Sequence, residues 1–229
     1  MINAYIITLK GNTLADRAAR RLEASAPSNV TMVRFDAIEP AGVDKLMRME
    51  GLNWTYPWKT QEWNIAAGMV LTPYPTTNPK ARVACFLSHY TLWKQCADGE
   101  TMIIHEHDAI YKSETLPLDQ FEKSKYDIIG LNDPRGATRM ASAYDRVVQE
   151  QNAEICRAPS IDEYNVPQGI AGNSAYYIEP SGAQKMLSLV KQYGCWPNDA
   201  IMNRQFIYTL GQTKEYHTYV QGTRSTTTL

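Results

Sequence analysis

Residues 101–111 read T-M-I-I-H-E-H-D-A-I-Y, an apolar run that ends in four ionisable side chains. Such a run predicts a buried strand that delivers an acidic cluster to the edge of a sheet, where open α/β folds place their ligands. In extended backbone successive side chains alternate, so Glu106 and Asp108 are expected to point one way and His105 and His107 the other. Two carboxylates on one side suit a hard cation, Mn2+ or Mg2+, shared with the oxygens of a diphosphate. The plainer alternative is a set of solvated loop charges. Zinc held by His105 and His107 is a further alternative. The H-x-H-x-D-H pattern of binuclear zinc hydrolases, however, needs an aspartate and a histidine where this chain has Ala109 and Ile110, and His89 or His217 would have to converge on the cluster.

The elements that must position this cluster can be read in order. Ala4 to Leu9 (A-Y-I-I-T-L) predicts a first core strand. A helix follows Gly11-Asn12-Thr13, with Leu14, Ala18 and Leu22 on its apolar side. A helix start beside Arg17 would suit phosphate, although no G-x-G-x-x-G fingerprint is present and a wet basic face explains the arginines as well. Thr31 to Phe35 predicts a second strand and Asp44 to Glu50 a helix. From about 53 to 79, tryptophans and tyrosines interleave with prolines, which excludes one long helix and predicts a loop. Its aromatic side chains either stack on sugars or bases, or pin the loop to the body. Lys80 to Ala97 reads as an amphipathic helix carrying Ser88-His89. Tyr126 to Leu131 and Ser174 to Ile178 predict strands. Pro180 opens a helix that Gly194 ends. A last helix is expected from Asn198, as N-cap, to about Tyr208, then an edge strand over Lys214 to Val220 and a flexible polar tail. Strands alternating with helices predict an α/β fold, a Rossmann-like, mostly parallel sheet with helices on both faces, in a single domain spanning 1–229.

Composition bounds the partners. A net charge of −1 gives no global attraction to nucleic acid or an anionic membrane, although Lys123, Lys125, Arg135 and Arg139 would make a local basic patch if they cluster. No apolar run approaches the roughly 20 residues that span a bilayer, and no secretory leader is legible, so cytoplasmic residence without membrane insertion is expected. The four cysteines form no C-x-x-C pair. Cys85 and Cys96, roughly 16 Å apart along one helix, cannot be bridged, so free thiols are expected.

Several of these segments together resemble glycosyltransferase family 25, which includes lipooligosaccharide and collagen galactosyltransferases and phage-encoded relatives. The resemblance is carried by the opening Y-I-I-T-L with Arg17, by Phe35-Asp36-Ala37, by the run Cys85 to Trp93 (C-F-L-S-H-Y-T-L-W), by I-I-H-E-H-D-A, by Asp127 to Leu131, by Ser174 to Ile178 ahead of P-S-G-A, and by Pro197-Asn198-Asp199. They occur in family order over nearly the whole chain, and the C-terminal run is most similar to the phage-encoded branch. The resemblance implies a GT-A type, nucleotide-sugar-dependent transferase that inverts the anomeric carbon and uses an acidic metal motif. Family members carry E-D-D where this chain has Glu106-His107-Asp108, so the middle carboxylate is missing.

By that resemblance Glu106, Asp108 and His217 are the expected metal ligands and Asp199 the base. Arg17, Asp36, Ser88 and His89 are donor-side residues, and Asn173 is on the acceptor side. The donor is a nucleotide sugar, expected to be a uridine diphosphate sugar, and the acceptor a glycan or a hydroxymethylated base of phage DNA. An attacking hydroxyl needs a positioned base, whereas a carboxylate in a first helical turn also serves the helix dipole. The competing functions are a non-catalytic carbohydrate- or nucleotide-binding protein of the same fold, which the altered acidic motif favours, and a zinc hydrolase.

Overall fold

The computed structural model describes residues 1–138, 140–163 and 165–222; Arg139 of the expected basic patch and the tail 223–229 lie outside the described residues. In chain order the elements are β1 (Ile2–Thr8), α1 (Thr13–Ala24), β2 (Val30–Asp36), a 3-10 turn (Pro40–Gly42), α2 (Val43–Glu50), β3 (Glu62–Asn64), β4 (Met69–Leu71), α3 (Pro79–Ala97), β5 (Met102–Glu106) and β6 (Ala109–Tyr111). They continue with α4 (Leu118–Lys123), β7 (Ile128–Gly130), α5 (Ala141–Gln149), β8 (Ile155–Arg157), β9 (Ala175–Ile178), α6 (Pro180–Tyr193), α7 (Asn198–Ile201), β10 (Leu210–Thr213) and β11 (Thr218–Val220).

A seven-stranded sheet forms in the order β2-β1-β5-β9-β7-β10-β8. Strands β1, β2, β5, β7 and β10 run one way, and β9 and β8 run against them. The sheet is therefore mixed but mostly parallel, a Rossmann-like α/β arrangement. Alternation along the strands separates two cores. Met102 and Ile104 of β5 and Tyr176 and Ile178 of β9 face the side covered by α3 and α6. Ile103 and Tyr177 face the side where Ala19 and Leu22 of α1 and Phe121 of α4 pack.

Caps fix the helices nearest the carboxyl ends of the parallel strands. Asn12 accepts hydrogen bonds from the backbone N–H of Leu14 and Ala15, both at 3.0 Å, and starts α1. Asn78 does the same for α3 through the N–H of Ala81 at 3.1 Å, with Pro79 at the first helical position.

Several expectations are corrected. Leu14 is 63% exposed, and Ala15 and Ala19 take its place on the buried side of α1. Helix α3 is not amphipathic: wedged between the sheet, α2 and α6, it buries Val83, Ala84, Phe86, Leu87, Ser88, His89, Leu92, Trp93 and Cys96, residues spread around the helix. The segment 53–79 is not all loop, because β3 and β4 pair as a small antiparallel hairpin. Helix α7 stops at Ile201, and Asn198 does not cap it; Pro197 precedes it with no side-chain cap. The final segment supplies β10 to the main sheet and, separately, β11 to a two-stranded ladder with β6. All four cysteines are free, as expected. Among the described residues no helix is long and apolar enough to cross a membrane.

Candidate functional site

Parallel strands β1, β2 and β5 end on the same side of the sheet, and a cavity of about 390 Å³ opens there. Ile7 and Leu9 line it at the end of β1, Ala37 and Ile38 beyond β2, and Glu106, His107 and Asp108 at the end of β5. Cys85 and Ser88 reach it from α3, and Val220 and Gly222 from the C-terminal segment.

Glu106 is the last residue of β5, in register with Ile7 of β1. Its Oε1 lies 3.4 Å from Nε2 of His89 and 3.8 Å from Sγ of Cys85. The other ring nitrogen of His89, Nδ1, is 2.8 Å from the Tyr176 hydroxyl, which accepts from the Trp93 indole N–H at 2.9 Å. An indole can only donate, so one consistent assignment runs Trp93 to Tyr176 to Nδ1 of His89, with Nε2–H donating to Glu106. Burial raises the Glu106 pKa, but the hydrogen bond from His89, helped by the nearby imidazoles of His89 and His107, outweighs it and holds the carboxyl below its ordinary value.

Beyond Glu106 the chain does not stay extended. His107 and Asp108 form a turn that reverses the chain into β6. The turn brings Asp108 to the cavity of Glu106 and brings His107 there too, against the alternation expected of a continuous strand. Gln221 ties the turn down from the far end of the chain: its backbone N–H donates to the Asp108 carbonyl at 2.8 Å and its side-chain amide to the Ala109 carbonyl at 2.8 Å. The Oδ1 atom of Asp108 is buried without a hydrogen-bond partner among the described residues. Burial, and then the negative charge of Glu106, push the Asp108 carboxyl up to about 7. Burial lowers the pKa of His107.

Asp199 stands in the first turn of α7, an exposed residue that is nonetheless crowded by neighbouring protein. That crowding raises its pKa, Arg82 pulls it down, and the charge of Glu106 raises it again. Tyr74 stands near enough to help lower it, and the Arg82 guanidinium lies over the Tyr74 ring at 5.3 Å from the centroid. Gly169 keeps α7 close: a Cβ there would fall 2.7 Å from the carbonyl oxygen of Met202.

The other expected residues divide. Ser88 is buried at the cavity wall, accepting from the Ile38 N–H at 2.9 Å and donating to the Ala84 carbonyl at 2.9 Å, so it anchors the segment after β2. Asp36 is exposed beside Lys10 at 3.5 Å, next to the cavity residue Ala37. Asn173 is buried against the sulfur of Met202 at 3.6 Å, beside the cavity residue Ser174. Arg17 is exposed on α1 and does not line the cavity. His217 is not brought to the carboxylates. It lines a separate cavity with Phe121, Glu154 and Glu215, and its Nδ1 is 2.8 Å from the Ser113 hydroxyl, because β11 pairs with β6 rather than extending the main sheet. His105 lies on the opposite face of β5 from Glu106, buried, with Nε2 2.7 Å from the Tyr111 hydroxyl, which removes the zinc arrangement through His105 and His107. The expected basic patch is partly neutralised: Arg135 pairs with Asp133 at 2.6 Å and Lys123 approaches Asp119 at 3.9 Å.

With this geometry described, comparison with known proteins gives the family. The sequence profile of glycosyltransferase family 25 (LPS biosynthesis protein) matches residues 1–202. The chain belongs to that family. Its activity is therefore sugar transfer. No curated protein matches by sequence. Among solved structures, the galactosyltransferase LgtC in complex with donor and acceptor sugar analogues is similar at 10% identity, covering 93% of this chain and 73% of that one, with a TM-score of 0.42. An active-site mutant of LgtC gives 12% identity, 93% and 72% coverage and 0.44. Mouse xyloside xylosyltransferase 1, apo form, gives 12%, 91% and 80%, and 0.36. At such scores the architecture rests on the sheet described above.

Two features of this family 25 site carry no signal in a local reading. Tyr176 reaches His89 across 87 residues of sequence. Tyr74 and Arg82 reach Asp199 from the aromatic segment and the start of α3. Cys85 does carry one: it stands four residues before His89 on a helix, which puts both on the same face.

Proposed function

We propose that the chain is a metal-dependent, inverting glycosyltransferase that moves a sugar from a nucleoside diphosphate, preferably uridine diphosphate, to an acceptor hydroxyl. The observation that carries the reading is the pairing of Glu106 with Asp108 at one cavity, the latter with a buried, unpartnered carboxylate oxygen. All the donors of that pair are oxygens, which fits Mn2+ or Mg2+. When bound, such a cation neutralises charge gathering on the leaving diphosphate.

The protein's own groups do the rest. His89, itself held by Tyr176, fixes the rotamer of Glu106. Ser88 holds the segment Ala37–Ile38 that would wall the donor. Asp199 is assigned as base: its raised pKa brings it nearer the operating pH than an ordinary carboxylate. In a single displacement the acceptor oxygen bonds to the anomeric carbon from the face opposite the phosphate. The carbon–oxygen bond to the diphosphate breaks, and the hydroxyl proton passes to Asp199. The acceptor is a glycan or a hydroxymethylated base in DNA. The four free thiols agree with a reducing, cytoplasmic setting.

His107, where the family carries a carboxylate, favours a second reading in which the fold binds nucleotide sugars without turnover. Transfer and hydrolysis assays with a panel of uridine diphosphate sugars and Mn2+, on the native chain and on Glu106→Ala and Asp108→Ala, separate the two. Manganese-dependent turnover lost in both variants supports the transferase. Saturable sugar-nucleotide binding with no turnover in the native chain supports the binding protein.

A further inference from the structure

Cys85, His89 and Glu106 form a second, chemically different set of donors beside the carboxylate pair. Cys85 and His89 are four residues apart on α3, so both project from one helix face toward the end of β5, where Glu106 arrives. One ligand atom from each lies within 4.8 Å of the others, and among the described residues this is the one cluster with that property. Two of the three separations, those to the Glu106 oxygen, fit a small tetrahedral ion, and the third lies within 4.8 Å. With Zn–N near 2.0–2.1 Å, Zn–O near 2.0–2.2 Å and Zn–S near 2.3 Å, tetrahedral angles place N and O about 3.4 Å apart and S and O about 3.6 Å apart. Nε2 of His89 and Oε1 of Glu106 are 3.4 Å apart, and Sγ of Cys85 and the same oxygen are 3.8 Å apart.

We propose that Cys85, His89 and Glu106 bind a borderline-soft divalent cation of the zinc class, leaving its fourth position open to the cavity. The donor set of one sulfur, one imidazole nitrogen and one carboxylate oxygen matches zinc and does not match magnesium. Binding needs the thiolate, so the Cys85 proton passes to solvent. It also needs the lone pair of Nε2. The His89 proton then resides on Nδ1 and points at the Tyr176 oxygen, 2.8 Å away, the outer-shell support that metal-bound histidines use. Asn198 Oδ1, 3.7 Å from the sulfur, borders the same space. Zinc held there engages Glu106 and takes it from the hard cation. This consequence, unlike the site itself, rests on the transferase reading, and it predicts that zinc depresses manganese-dependent transfer.

Cobalt titration of the metal-free full-length protein tests the site without any activity assay. The expected result is a thiolate-to-cobalt charge-transfer band with tetrahedral ligand-field absorption, displaced by one equivalent of Zn2+. Cys85→Ser should abolish the charge-transfer band, and Glu106→Gln should weaken zinc binding by more than the roughly 10–100-fold that outer-shell changes cost. Asp108→Asn should keep the band. Near-ultraviolet circular dichroism of each metal-free variant checks its fold; if Cys85→Ser does not fold, Cys85→Ala is read in its place. Absence of the band in the native protein, its persistence in Cys85→Ser, or its loss in Asp108→Asn overturns the proposal. A thiolate band in a protein that transfers no sugar leaves the site standing and removes the transferase reading; transfer without the band does the reverse.

Discussion

Nε2 of His89 lies 3.4 Å from the Glu106 carboxylate, and the opposite nitrogen of the same ring lies 2.8 Å from the Tyr176 hydroxyl. A helix, a parallel strand and the reversed strand β9 are thereby joined at one side chain. Tyr176 is buried and also receives the Trp93 N–H, so Tyr176→Phe leaves two buried nitrogens unpaired. The cost per orphaned group is about 1–3 kcal/mol. For the two groups together, urea denaturation should show a loss of about 2–6 kcal/mol. Turnover per folded molecule should fall while nucleotide affinity holds; unchanged stability would mean that the chain of hydrogen bonds does not exist in solution.

Asp108 should be a stability cost in the metal-free protein. Its carboxyl is pushed up to about 7 in the folded state by burial and by Glu106, against about 3.9 in an unfolded chain. Between those values the folded state binds more protons, so stability falls as pH rises from 4 to 7. Asp108→Asn removes this dependence. In chelator at pH 8 it should be more stable than the native chain by on the order of 2 kcal/mol, with little difference at pH 4.5. Manganese affinity should fall sharply in the same variant. A variant less stable than the native chain at pH 8 would show that the carboxylates do not repel.

His105 predicts the opposite slope. Burial drops its pKa to about 3, against about 6.5 unfolded. Between those values the unfolded chain binds the extra proton, so stability is lost as pH falls from 6.5 toward 3. The loss should reach roughly 2 kcal/mol between pH 6.5 and 5. His105→Phe, which keeps the ring in the apolar core at the expense of the Tyr111 contact, should start lower but lose less over that interval. Parallel slopes for the two proteins would place the acid sensitivity elsewhere.

How much of this was legible follows from where the signal is local. The strands β1, β2, β5 and β9 each announce themselves as apolar, β-branched or aromatic runs, and Glu106 stands out because a charge ends such a run. Asp108 reaches the cavity of Glu106 through a turn and not through alternation, since the chain turns at 107–108 between β5 and β6. Helix α3 hid its burial because both the sheet and α6 cover it, so no polar face marks its orientation. Strands β3 and β4 are three residues each, too short to show a period of two. His217 looked available because it lies in an alternating segment, yet which ladder that segment joins depends on β6, more than a hundred residues earlier. The Trp93–Tyr176–His89 chain is likewise a product of strand order, which no window of sequence contains.

Asp199 gives the prediction that bears most directly on chemistry. Its carboxyl pKa is raised by the protein crowded around it and restrained by Arg82, and it is separate from the residues that line the main cavity. A base that acts only on the acceptor contributes nothing to donor or metal binding. Asp199→Asn should therefore lower kcat by about 10²–10⁴-fold with the uridine diphosphate sugar KM and the manganese affinity unchanged. Arg82→Gln removes the positive charge that holds the Asp199 pKa down, so the acidic limb of the kcat–pH profile should move to higher pH. If Asp199→Asn instead raises the donor KM and leaves kcat near the native value, Asp199 belongs to donor binding, and the proton acceptor must be sought among other groups around the cavity.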